Sequence, residues 1–303
     1  MQSPPLPEDF DHFWKETCEE ALTGSLDYER VPGNAYPSED HQVEIFHFRG
    51  AGGEILHGWI AFPANSVDIK NPAFLWVPPY SLSTMLPNSY GTRKNYMSLS
   101  FNFHGYDSFY QEPYSKEKGY FAKGIESPQT WIFRRMFQNA AIAMRVLESL
   151  PEVDTGRIAS MGMSQGGGIS IWLGAWLESV KVVCANMPFL SGMADTFSKK
   201  VYHYPLKEIA DYIEESEERQ AKILHTLSYF DTLHLAARCQ KPTLVTLGFR
   251  DPACPPDKVQ AIYHALPGEK YLVEYNWGHD WHPDMVQDNL DWMERFFSHT
   301  NSS

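Results

Sequence analysis

Gly162-Met163-Ser164-Gln165-Gly166 sets a hydroxyl between glycines in the pattern G-x-S-x-G. A serine so placed can act as a nucleophile where the chain turns sharply from a strand into a helix, because the turn exposes the hydroxyl at the helix amino terminus. Only glycine leaves room on either side of such a turn. The flanks suit it: RIASMG reads as a strand and GGGISIWLGAWLE as a helix.

The pentapeptide also arises by chance, so the partners of the serine decide its meaning. A hydroxyl is weakly nucleophilic at neutral pH and needs a histidine in hydrogen-bond reach, itself oriented by a carboxylate. On a strand–turn–helix scaffold the order along the chain is serine, acid, histidine, with the last two after late strands. Asp251 follows TLVTLG and His279 follows YLVEY, in that order. His282 is the nearest rival base, with Asp280 or Asp284 to orient it, but these residues run into the final helix. An oxyanion needs two backbone donors, one after the nucleophile and one after an early strand. Gln165 supplies the first. Pro78 and Pro79 follow the strand AFLWV and have no N–H, so Tyr80 is the first donor available.

Competing chemistries lack their spacing. There is no Gly-Lys-Ser/Thr ending and no G-x-G-x-x-G run, which excludes a phosphate loop, and no H-E-x-x-H, so no metal or other cofactor is expected.

The elements that must hold these residues are legible as short apolar runs. QVEIFHF (42–48) and EILHGWIAF (54–62) flank the turn Gly50-Ala51-Gly52-Gly53 and read as an antiparallel hairpin. Runs at 73–77, 97–103, 157–162, 181–186, 243–248 and 271–275 read as buried strands, while 137–150 and 285–297 repeat apolar residues at helical spacing. The alternation implies an α/β fold of the α/β-hydrolase type: one domain over residues 1–303, a mainly parallel sheet with helices on both faces, and a site at the carboxyl ends of the strands. A charged helical stretch at about 191–228 is inserted between two strands as a cap or interface element, and its EESEE run reads as a solvated helix face.

The formal charge of -13 repels phosphate backbones and anionic surfaces, so neither nucleic acid nor a membrane is an expected partner. No stretch approaches the roughly 18 apolar residues of a membrane span. The amino terminus lacks a basic region followed by an apolar run, and the four cysteines form no C-x-x-C pair. Free thiols and a cytoplasmic location are therefore expected.

With these residues in place, the chain resembles carbohydrate esterase family seven, the acetyl xylan esterases and cephalosporin-C deacetylases, over nearly its whole length. The segments that carry the resemblance are DFDHFWKET, KGYFAKGIESPQTWIFRRMFQNAAIA, VDTGRIASMGMSQGGGIS, MPFL at 187–190, SYFDTLHLAARCQKPTLVTLGFRDPACPP and NWGHD, in family order. The resemblance implies removal of acetyl groups from small molecules such as xylo-oligosaccharides or cephalosporin C, without a cofactor. It implies Ser164, Asp251 and His279 as the triad, Gln165 and Tyr80 at the oxyanion hole, and a homo-oligomer, commonly a hexameric ring. The chain departs from the family pattern at Pro78-Pro79-Tyr80, in place of His-Gly-Tyr, and at His104-Gly105-Tyr106, in place of Arg-Gly-Gln. His104 and Tyr106 thus join Pro188, Phe189 and Leu190 as candidate pocket residues, and Trp277 and Trp281 as candidates to stack on a sugar ring. A hydrolase of another ester or an amide, and a silent binding protein on the same fold, are the alternatives.

Overall fold

A computed structural model describes residues 5–64, 69–113, 119–193, 197, 205–213 and 217–298. Nine strands form one sheet: β1 (Tyr28–Val31), β2 (His41–Arg49), β3 (Ile55–Pro63), β4 (Asn71–Val77), β5 (Met97–Phe101), β6 (Val153–Met163), β7 (Val182–Asn186), β8 (Thr243–Gly248) and β9 (Lys270–Tyr275). Their order is β1-β2-β3-β5-β4-β6-β7-β8-β9. β1, β2, β3 and β5 pair antiparallel, and every pair from β5 through β4 to β9 is parallel. The helices are α1 (Phe10–Leu22), α2 (Ile132–Ser149), α3 (Gln165–Trp176), α4 (Leu206–Ile213), α5 (Glu217–Phe230), α6 (Thr232–Ala236), α7 (Pro256–Ala265) and α8 (Met285–Phe297).

Two apolar layers lie on opposite faces of the sheet, and β4 shows how the sequence builds both. Successive side chains of a strand point to opposite faces. Ala73, Leu75 and Val77 accordingly enter the larger core with α1, α2 and α3, while Phe74 and Trp76 enter the smaller one with Trp292, Met293 and Phe297 of α8. All of these β4 residues are fully buried, as expected of a central parallel strand covered on both sides.

Element boundaries differ from the sequence reading in instructive places. The fifth strand stops at Phe101, two residues early, because Asn102 Oδ1 accepts from the N–H groups of His104 and Tyr106 and bends the chain away. α2 begins at Ile132, ahead of the expected 137, because Arg134 finds Glu20 of α1 at 3.0 Å and is accommodated within the helix. β1, exposed on alternate residues at the sheet edge, carries too little apolar character to be read from sequence. Between β7 and β8 lie α4, α5 and α6; residues 194–196, 198–204 and 214–216 of the inserted stretch fall outside the described residues.

Candidate active site

Ser164 lies between the end of β6 and the start of α3 with φ 57° and ψ -119°. A non-glycine residue there is strained by about 1–3 kcal/mol and persists only when its surroundings impose the geometry. Three backbone bonds do so: Ser164 N–H donates to Asn186 O at 2.8 Å, and Ser164 O accepts from Gly168 at 3.1 Å and Phe189 at 3.0 Å. The flanking glycines are required by contact. A Cβ on Gly162 would lie 2.5 Å from the carbonyl of Gly166, and one on Gly166 would collide with the Val77 carbonyl of β4. Sequence places a serine between glycines; packing of β4 against α3 makes those glycines irreplaceable.

The parallel sheet brings the ends of β6, β8 and β9 together. His279 Nε2 lies 3.1 Å from Ser164 Oγ, and His279 Nδ1 lies 2.7 Å from Asp251 Oδ2. The other Asp251 oxygen accepts from the N–H groups of Ala253 at 2.8 Å and Cys254 at 2.7 Å. The carboxylate is thereby aimed, and it holds the imidazole with its Nδ1–H toward the acid and a lone pair toward the serine. His282, the rival, lies elsewhere: its ring stacks on Tyr275 at 4.3 Å and Nδ1 accepts from Asp284 N–H.

Asp251, Cys254 and His279 also place three potential metal-ligand atoms within 4.8 Å of one another. Their engagements fit a triad better. Both imidazole nitrogens face protein partners, and burial, with the Asp251 charge, pushes the Cys254 thiol well above its usual range.

Gln165 opens α3, where its N–H has no intrahelical acceptor, and the N–H of Tyr80 donates to no described residue. Both are available to a negative oxygen. Around them is a set of contacts no motif announces. Tyr120 donates its phenol to Gln165 Oε1 at 3.0 Å, and its ring lies against Tyr80 at 4.9 Å and His104 at 4.2 Å. Tyr80 donates its own phenol to Glu208 Oε1, and Glu208 Oε2 accepts from Phe121 N–H at 2.9 Å. Burial, and then the Glu208 carboxylate, push the Tyr80 phenol upward, so it stays protonated. Burial, and then Lys123, lower His104 to about 4, so the ring that replaces a family cation is neutral. Tyr120 and Glu208 were missed because they come from a loop and from the inserted helix, at no fixed spacing from Ser164.

The pocket candidates separate. Pro188, Phe189 and Leu190 are buried; Phe189 packs on Phe121 at 5.6 Å and braces Ser164 through its N–H. Trp281, half-buried, turns its ring onto Trp76 at 5.6 Å and Tyr90 at 5.0 Å. Trp277 is 39% exposed and keeps a free face. Tyr106, 38% exposed, stacks on Tyr110 and, with His104, Tyr120 and Lys123, borders a cavity of about 840 Å³.

Sheet order and elbow define an α/β hydrolase with a serine–histidine–aspartate array at the carboxyl ends of its strands. The acetyl xylan esterase (AXE1) family profile matches residues 1–296, and the chain belongs to that family. It is 23% identical over 283 residues to acetyl esterase Axe7A of Xylanibacter ruminicola, covering 89% of this chain and 63% of that protein's length. The acetyl xylan esterase from Paenibacillus sp. R4 superposes with a TM-score of 0.85 at 24% identity, covering 97% of each chain. Acetyl xylan esterase 1 from Thermoanaerobacterium sp. gives 0.82 at 24% identity, over 97% of this chain and 95% of that one.

Proposed function

We propose that this protein is a serine acetylesterase acting on small acetylated alcohols such as xylo-oligosaccharides or cephalosporin C. The observation that carries the reading is the continuous contact from Ser164 Oγ through His279 to Asp251. In the first step Ser164 Oγ attacks the acetyl carbonyl while His279 Nε2 takes its proton, and the imidazolium formed is stabilised by Asp251. The N–H groups of Gln165 and Tyr80 receive the negative charge on oxygen. The tetrahedral intermediate collapses as His279 returns the proton to the departing alcohol. Water, deprotonated by the same ring, then releases acetate from the acyl-serine. No step needs a metal or a cofactor.

The same reading includes a cytoplasmic homo-oligomer, with a hexameric ring as the assembly. All four cysteines are buried and unbridged, consistent with a reducing compartment. Among the described residues no helix is long and apolar enough to cross a membrane.

Initial rates on p-nitrophenyl acetate, p-nitrophenyl butyrate and an acetanilide, with Ser164→Ala in parallel, test the function. The expected result is fast acetate hydrolysis, slower butyrate and negligible anilide, with the acetate rate falling by about 10⁴-fold or more in the variant. Wild-type preference for the anilide, or an unchanged rate in Ser164→Ala, would sink it. Light scattering on the eluting protein checks the assembly.

A further inference from the structure

We infer that the β2–β3 hairpin carries a binding site for a divalent transition-metal cation of the zinc class, held by the His47 and His57 side chains. The two residues are direct cross-strand partners. Their Nδ1 atoms face one another at 2.7 Å with ring planes 78° apart. At that distance one nitrogen donates and the other accepts, so the two rings do not both carry a proton on the facing atom. Paired imidazole nitrogens on a rigid ladder are a donor set that zinc, nickel and copper favour.

A tetrahedral zinc with bonds of about 2.0–2.1 Å places two nitrogen ligands roughly 3.3 Å apart. Small rotations of the two side chains open the observed separation to that value. The ring now donating through Nδ1 shifts its proton to Nε2 as the ion takes its place, so no net proton leaves.

The surroundings agree. The pair opens on a pocket of about 500 Å³ completed by Val31, Ile45, Asp107, Ser108, Phe109 and Tyr110. No lysine or arginine is among these residues. The ion ties β2 to β3 on the antiparallel side of the sheet.

The test is calorimetric titration of chelator-treated protein with zinc chloride at neutral pH, with thermal melts in parallel. Wild type takes up about one equivalent and melts at a higher temperature with zinc, as a site formed only in the folded chain requires. His47→Ala and His57→Ala each lose the equivalent, with unchanged circular dichroism and, without zinc, wild-type p-nitrophenyl acetate hydrolysis. If either alanine variant fails to fold, the glutamine variant at the same position takes its place. The Asp251, Cys254 and His279 group is the other place an ion could settle. Retention of the equivalent by His279→Ala supports the hairpin site, and its loss there overturns it. No uptake by wild type, or full uptake by folded His57 variants, overturns it as well.

Discussion

The phenol of Tyr80 donates to the carboxylate of Glu208, joining the loop that carries the proposed oxyanion donor to a helix inserted 128 residues later. Glu208 is 4% exposed, and its second oxygen accepts from Phe121 N–H, so the carboxylate fixes two segments at once. The inserted helix therefore helps set where the Tyr80 N–H points.

Glu208→Gln keeps the shape but removes the charge and one acceptor, so the Tyr80 phenol must reverse to accept from the amide or lose the contact. We expect kcat on p-nitrophenyl acetate to fall by about ten- to a hundredfold with KM little changed, since a misplaced oxyanion donor costs transition-state binding selectively. Unaltered kcat in a folded Glu208→Gln protein would contradict a positioning role.

Tyr120→Phe removes the donor to Gln165 Oε1 while keeping the ring between Tyr80 and His104. The Gln165 N–H proposed for the oxyanion is retained and only its orientation loosens. The expected loss is smaller, about tenfold in kcat, because a backbone donor remains in place. Steady-state kinetics of the two variants side by side give the order of effects.

Gly166→Ala drives a methyl into the Val77 carbonyl, backbone that cannot rotate aside. Separating α3 from β4 costs on the order of 3 kcal/mol and displaces Ser164 as well. Thermal denaturation should show a fall of several degrees, roughly 2–4 °C per kcal/mol for a chain of this size. Activity should be lost even where the variant remains folded.

Two buried groups give stability opposite pH dependences. Burial, reinforced by Lys123, lowers His104 from 6.5 to about 4. The unfolded chain then binds the proton first on acidification, so the His104 contribution is full above about 6.5 and is lost as pH falls through about 4. Burial raises Asp231 from 3.8 to about 6, against the N–H groups of Leu233, Met193 and Gly192 and the charge of Lys258. Here the folded chain holds the proton, so the contribution is full below about 3.8 and is lost as pH rises through about 6. The two slopes oppose one another in wild type. Melting temperatures between pH 4 and pH 6.5 should rise more steeply with pH in Asp231→Asn and fall with pH in His104→Phe. Parallel curves in all three proteins would refute the assignment.

Much of the site was legible because its parts obey local rules. G-x-S-x-G is a steric requirement within five residues, and Asp251 and His279 each follow a strand whose apolar run marks its end. Proline's missing N–H pointed to Tyr80 in the same way. The roles of Tyr120, Glu208 and Trp281 were not legible, since a tyrosine, a glutamate and a tryptophan carry no mark of what they will face. Trp281 reads from sequence as a sugar platform or, somewhat more readily, as packing, and in the structure its half-buried ring lies against Trp76 and Tyr90.

By itself, then, the order of residues determined the family, the mainly parallel sheet, and the serine, acid and base, because backbone sterics and strand periodicity act over a few neighbours. Tertiary structure alone decided which helix buttresses Tyr80, that Tyr120 reaches Gln165, and that His47 and His57 meet on the hairpin. Those outcomes depend on strand order, register and side-chain packing between segments far apart in the chain, and no short-range rule constrains them.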